Sequence, residues 1–64
     1  MPLITVELFA GRDTDTKRKF VERITAEACE VLGCKPEAVH VIFKDIKRED
    51  WATGGVLWSD KNNA

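Results

Sequence analysis

The chain has 64 residues, with ten Lys and Arg against eleven Asp and Glu for a net charge of −1. Both signs are interspersed, so no basic stripe is offered to nucleic acid or to an anionic membrane, and the apolar runs fall far short of the roughly 20 residues that span a bilayer. Two cysteines, Cys29 and Cys34, and a single histidine make neither a disulfide framework nor a zinc ligand set, and no metal or cofactor is expected.

Residues 1–64 read as one domain, and no signal-peptide h-region opens them, so a cytoplasmic location is expected. Pro2 precedes an apolar, β-branched run, Leu3-Ile4-Thr5-Val6-Glu7-Leu8-Phe9, which reads as a strand. Two roles are open to this proline. It can simply start an edge strand, where its missing N–H costs nothing. If Met1 is trimmed, it is instead a free secondary amine. An α-amino group titrates near about 7.7 to 8.0, and a nearby cation or an apolar pocket lowers that value toward the range in which a general base works best.

The strand ends at Ala10-Gly11-Arg12, and Asp13 is placed to cap a helix from Thr14 to Leu32. Apolar residues at Phe20, Ile24, Ala28 and Val31, and at Val21, Ala28 and Leu32, keep helical spacing, with Lys17, Lys19, Glu22, Arg23, Glu27 and Glu30 between them. Gly33 suits the left-handed position past the last turn, and Pro36 cannot continue the helix. Val39-His40-Val41-Ile42-Phe43 reads as a second strand. After a charged stretch, Lys44 to Asp50, the segment Trp51 to Trp58 reads as a short hairpin turning at Gly54-Gly55.

The fold class expected is therefore α/β: a β-α-β protomer with a parallel two-stranded sheet, one long helix crossing over right-handed, and a C-terminal hairpin. One helix covers one sheet face. Both strands nevertheless carry apolar groups on both faces, Ile4, Val6 and Leu8 against Leu3 and Phe9, then Val39, Val41 and Phe43 against Ile42, and such strands call for cover on both sides. A core this small seldom leaves more than about 3 to 5 kcal/mol of net stability without disulfides, metal or oligomerisation. Self-association into a homo-oligomer is the remaining support.

Pro2 opening a strand, Gly11-Arg12 before the helix, the helix and second strand at matching distances, and an aromatic residue ahead of Gly54-Gly55 together resemble the 4-oxalocrotonate tautomerase family over almost the whole chain. The resemblance implies a protomer assembled usually as a hexamer, a trimer of dimers, with sites lined by more than one subunit. By position, Pro2 corresponds to the family's amino-terminal general base and Arg12 to an arginine that binds substrate carboxylate, for which the planar guanidinium fork is well suited. Trp51 falls where the family has an aromatic pocket wall, and Leu8 on a strand position lining the same pocket; ordinary packing is the alternative for both. His40 stands where the best-known members have a second arginine for the far end of a dicarboxylate. Lys47 or Arg48, in the next loop, can supply that charge instead.

The activity so implied is a cofactor-free isomerase that interconverts enol and keto forms of a small 2-oxo or 2-hydroxydienoic acid, a small-molecule carboxylate substrate, with Pro2 and Arg12 catalytic and Leu8, His40 and Trp51 binding substrate. Two alternatives stand beside it. Hydration or dehalogenation of unsaturated acids needs a carboxylate to activate water, and Asp45, Glu49 and Asp50 are only neighbours in sequence. A non-catalytic oligomeric module would keep the fold alone. Cys29 and Cys34 read as reduced and structural, since neither has an adjacent base or a C-x-x-C spacing.

Overall fold

A computed structural model describes residues 1–61. Strand β1 runs over Leu3–Phe9, helix α1 over Thr14–Leu32, strand β2 over His40–Ile46, and a hairpin is formed by β3 (Ala52–Thr53) and β4 (Val56–Leu57). Short 3-10 turns at Pro36–Ala38, Arg48–Asp50 and Trp58–Asp60 join them. No helix among the described residues is long and apolar enough to cross a membrane.

Local chemistry sets the helix ends. Asp13 keeps an extended backbone, and its Oδ1 accepts from the N–H of Thr16 at 2.8 Å, satisfying one of the free donors of the first turn. That bond holds the Asp13 carboxyl below its ordinary pKa. At the other end Gly33 takes φ 71°, ψ 36°, and its N–H donates to the Cys29 carbonyl at 3.0 Å. A side chain would be strained in that left-handed conformation.

Strands β1 and β2 pair in parallel with Leu3 opposite His40 and Phe9 opposite Ile46. The second strand thus starts one residue later and ends three later than the Val39–Phe43 expected. Val39 is used elsewhere, its N–H closing the 3-10 turn onto the Pro36 carbonyl at 3.1 Å. Lys44 and Asp45 join the strand despite their charge because Glu7 and Leu8 stand opposite them and Asp45 is paired with Lys17 of the helix, Nζ to Oδ2 2.8 Å.

Ile4, Val6, Leu8, Val41 and Phe43 form the half-buried sheet face, and helix residues Val21, Ile24 and Ala28 are half-buried in turn. The opposite sheet face lies open, with Leu3 62% and Ile42 46% exposed. The helical spacing holds, and Phe20 packs edge-on against Phe43 at 6.1 Å between centroids, but Val31 and Leu32 stay largely exposed, at 72% and 64%. Among the described residues no side chain is buried.

The shape agrees with that. The radius of gyration is 15.2 Å with extents of 44 × 24 × 14 Å, whereas a compact domain of this length has a radius of gyration of about 11 Å. The accessible surface is 5130 Å², against about 4,100 Å² for a compact monomer of this mass. The protomer is a thin slab with one apolar face uncovered.

Candidate active site

At one end of the sheet, Pro2 is half-buried and its carbonyl accepts the N–H of His40 at 3.0 Å. The ladder therefore extends one residue ahead of β1, and it places Pro2 beside the start of β2. With Met1 attached, the proline nitrogen is an amide and has no basic lone pair. Trimming Met1 turns the same atom into a secondary amine without disturbing the carbonyl that anchors it.

At the other end, the chain leaves β1 through Gly11, whose φ of 128° is open to glycine and costly for other residues. Arg12 follows, and it lines a cleft of about 220 Å³ with Val6, Leu8, Thr16, Lys17, Phe20 and Phe43. Lys17 is held by Asp45 and also lies 5.6 Å above the Phe43 ring centroid. Arg12 has no carboxylate partner among the described residues, so its guanidinium is available to an external anion.

The same end carries an aromatic cluster. Phe9 closes β1, and its ring packs against Trp51 at 4.4 Å between centroids and against Trp58 at 5.4 Å. The hairpin brings Trp58 back, its N–H donating to the Trp51 carbonyl at 2.8 Å. Gly54 at φ 60° and Gly55 at φ 82° supply the two left-handed residues that a tight two-residue hairpin turn requires. The Arg48 guanidinium carbon lies 4.3 Å from the Phe9 ring centroid, and Lys61 Nζ lies 4.8 Å from that of Trp58. The Trp58 indole N–H is shut away from solvent with no acceptor among the described residues.

Within one chain Leu8 lines the helix-side cleft, and the strand residue against Trp51 is Phe9. Successive strand side chains point to opposite faces, so a shift of one position changes which face a residue serves. Alternation alone marks Leu8 and Phe9 as equally apolar. Only the packing of the hairpin singles out Phe9.

The sequence-derived residues thus fall into two groups. Pro2 and His40 lie at the start of the strands, whereas Arg12 and Trp51 lie beyond their end. Seven strand residues at about 3.3 Å each put roughly 20 Å or more between the groups. No side chain spans that distance. Pro2 and Arg12 can meet on one small molecule only if they come from different copies of the chain.

The cysteines offer no nucleophile. Both are free and half-buried, and the Cys29 thiol is pushed up by burial and, secondarily, by the neighbouring Cys34, the opposite of activation. Cys34 Sγ contacts the Ala28 carbonyl at 3.7 Å, a helix-end contact. No group of three His, Cys, Asp or Glu among the described residues is arranged to hold a metal.

Comparison with known proteins is consistent along the chain. A family profile described as tautomerase enzyme matches residues 2–61. A probable tautomerase of Halalkalibacterium halodurans is 33% identical over 61 residues, covering 95% of this chain and 100% of the relative. The crystal structure of a 4-oxalocrotonate tautomerase homologue superposes with a TM-score of 0.91 at 43% identity, over 98% of this chain and 100% of that one. A heterohexameric 4-oxalocrotonate tautomerase from Chloroflexus aurantiacus shares the fold, with a TM-score of 0.88 at 21% identity over 97% of this chain and 100% of that one.

Proposed function

The chain belongs to the tautomerase family, and from that premise we propose that it is a cofactor-independent isomerase interconverting the enol and keto forms of a small 2-oxo acid. The observation that carries this reading is the division of the site: a potential amine base at one end of the sheet, and a free guanidinium with aromatic walls at the other. Two copies related by a two-fold axis, with their β1 strands running in opposite directions, bring each Pro2 to the other's Arg12 and Trp51. The same contact completes two sites at once, as two-fold symmetry requires.

In this reading Met1 is removed, and Pro2 acts as a neutral secondary amine. It takes the proton from the hydroxyl of a 2-hydroxy-2-enoate or dienoate. The O–H electron pair becomes the carbonyl π bond, and the displaced C=C pair takes the proton back from the prolinium at carbon. Arg12 of a neighbouring copy grips the carboxylate and offsets the negative charge that builds on oxygen during transfer. Phe9 and Trp51 exclude water, and an apolar wall disfavours the protonated amine. His40 lies beside Pro2 and contacts substrate there.

The homo-oligomer proposed is a hexamer built as three such dimers. A slab 14 Å thick with apolar Leu3 and Ile42 on one face has that face to give to further copies. The experiment that tests the activity follows enol decay in buffer without added metal, comparing the wild type with Pro2→Ala. Equal rates in the two proteins would reject the amine mechanism.

A further inference from the structure

Two thiols meet where helix α1 stops. Gly33, in its left-handed conformation, turns the chain back, and its N–H closes on the Cys29 carbonyl at 3.0 Å. Such a stop commonly brings the residue after the glycine, here Cys34, against the residue whose carbonyl is bonded, here Cys29. Cys34 makes that return: its Sγ lies 3.7 Å from the Ala28 carbonyl oxygen, which belongs to the same planar peptide unit as the Cys29 nitrogen and Cα. Burial is the chief cause that pushes the Cys29 thiol up, and the charge of the neighbouring Cys34 thiol comes next. Both cysteines are free and only half-buried, so they are open to a small oxidant. The enol chemistry uses neither.

We propose that Cys29 and Cys34 are a reversible oxidation site, which hydrogen peroxide closes to a disulfide within the chain. Bridged cysteines have Cα atoms about 4.4 to 6.8 Å apart, and Cys34 stands one residue past a 3.0 Å backbone contact with Cys29. Because burial holds Cys29 protonated, the first step falls to Cys34. Its sulfur attacks one peroxide oxygen as the thiolate, the O–O bond breaks, and the products are a sulfenic acid and water. The Cys29 sulfur then displaces hydroxide from that sulfenic acid, and the hydroxide leaves as a second water with the Cys29 proton. Two thiols have given two electrons to one peroxide. The bridge ties the last turn of α1 to the connection into β2, just ahead of the turn at Pro36–Ala38. Closure calls on proximity rather than on an activated thiol, and it does not depend on the tautomerase reading.

The test treats the purified protein with hydrogen peroxide at micromolar chain concentration and reads intact mass, free thiols and non-reducing electrophoresis. Wild type is expected to lose two hydrogens, about 2 Da, and both thiols, with no covalent dimer and no sulfenic acid left for dimedone to trap. Dithiothreitol should restore the starting mass. Cys29→Ser should instead give a dimedone adduct at Cys34, because no second thiol is left to condense with the sulfenic acid. Cys34→Ser combined with Lys35→Cys keeps two thiols but moves one a position beyond the helix stop, and it should not close at the dose that closes wild type. The proposal is overturned if wild type keeps both thiols, or passes to sulfinic acid, at a dose that converts free glutathione to its disulfide. It is equally overturned if wild type cross-links between chains instead, if the dimedone adduct forms on Cys34→Ser and not on Cys29→Ser, or if the Lys35→Cys arrangement closes as readily. The wild-type measurements need no substitution, so they decide the matter even where a variant folds poorly.

Discussion

The backbone N–H of His40 donates to the carbonyl of Pro2 at 3.0 Å, so the residue proposed as the base is fixed by its carbonyl while its nitrogen is left for chemistry. A loosely held amino terminus would lose that advantage, since proton transfer depends on geometry before pKa.

Active preparations should therefore lack Met1 by intact-mass measurement. Pro2→Ala, which keeps a terminal amine but makes it primary and unconstrained, should lower kcat/KM by about 10² or more, the usual contribution of a positioned base. A sample that retains Met1 and is fully active would end the proposal.

Division of the site between copies predicts complementation. Pro2→Ala and Arg12→Ala should each be nearly inactive alone. Co-expressed in equal amounts, they should regain activity, because random assembly leaves roughly one site in four with both native residues. If both residues served one site within the same chain, mixing would restore nothing. Activity of the co-expressed pair against each variant alone is the measurement.

The uncovered apolar surface predicts obligate association. Sedimentation at micromolar concentration should find a multimer, six chains in the proposed assembly. Val56→Asp or Leu57→Asp, on the exposed hairpin, should dissociate it and abolish activity together. A folded, active monomer would contradict both the packing argument and the shared site.

Asp13 gives a pH-dependent prediction. Its folded pKa lies below the ordinary value of 3.8, chiefly through the bond from Thr16, so the stability it confers is present above about that pH and is lost as pH falls through the lower, folded value. Asp13→Ala should melt at a lower temperature than wild type at neutral pH, and the gap should close in strong acid. Asp13→Asn, which caps without a charge, should show no such convergence. The readout is the melting temperature of all three proteins from neutral pH down to about pH 2.

Strand β1 and helix α1 were legible in the sequence because Asp13 and Gly33 mark the helix ends with side-chain and backbone chemistry that acts locally. The hairpin was legible for the same reason, through Gly54-Gly55. What escaped depends on distant partners. Lys44 and Asp45 look like loop residues until Glu7 and Leu8 stand opposite and Lys17 neutralises the aspartate. Val31 and Leu32 carry a core-like period, yet they stay largely exposed in this chain. The packing of Phe9 on the hairpin cannot be read from strand alternation, because it rests on where Trp51 and Trp58 fold back. Arg48, in a run of charges, gives no sign in the sequence of the ring it rests on.

A chain with no buried side chain among its described residues makes abundance a folding variable. When synthesis is slow, newly made copies meet rarely and remain open to proteases; when it is fast, association draws them into the protected form by mass action. Activity in the cell should then climb more steeply than the amount of messenger that encodes it, giving the protein a threshold in expression.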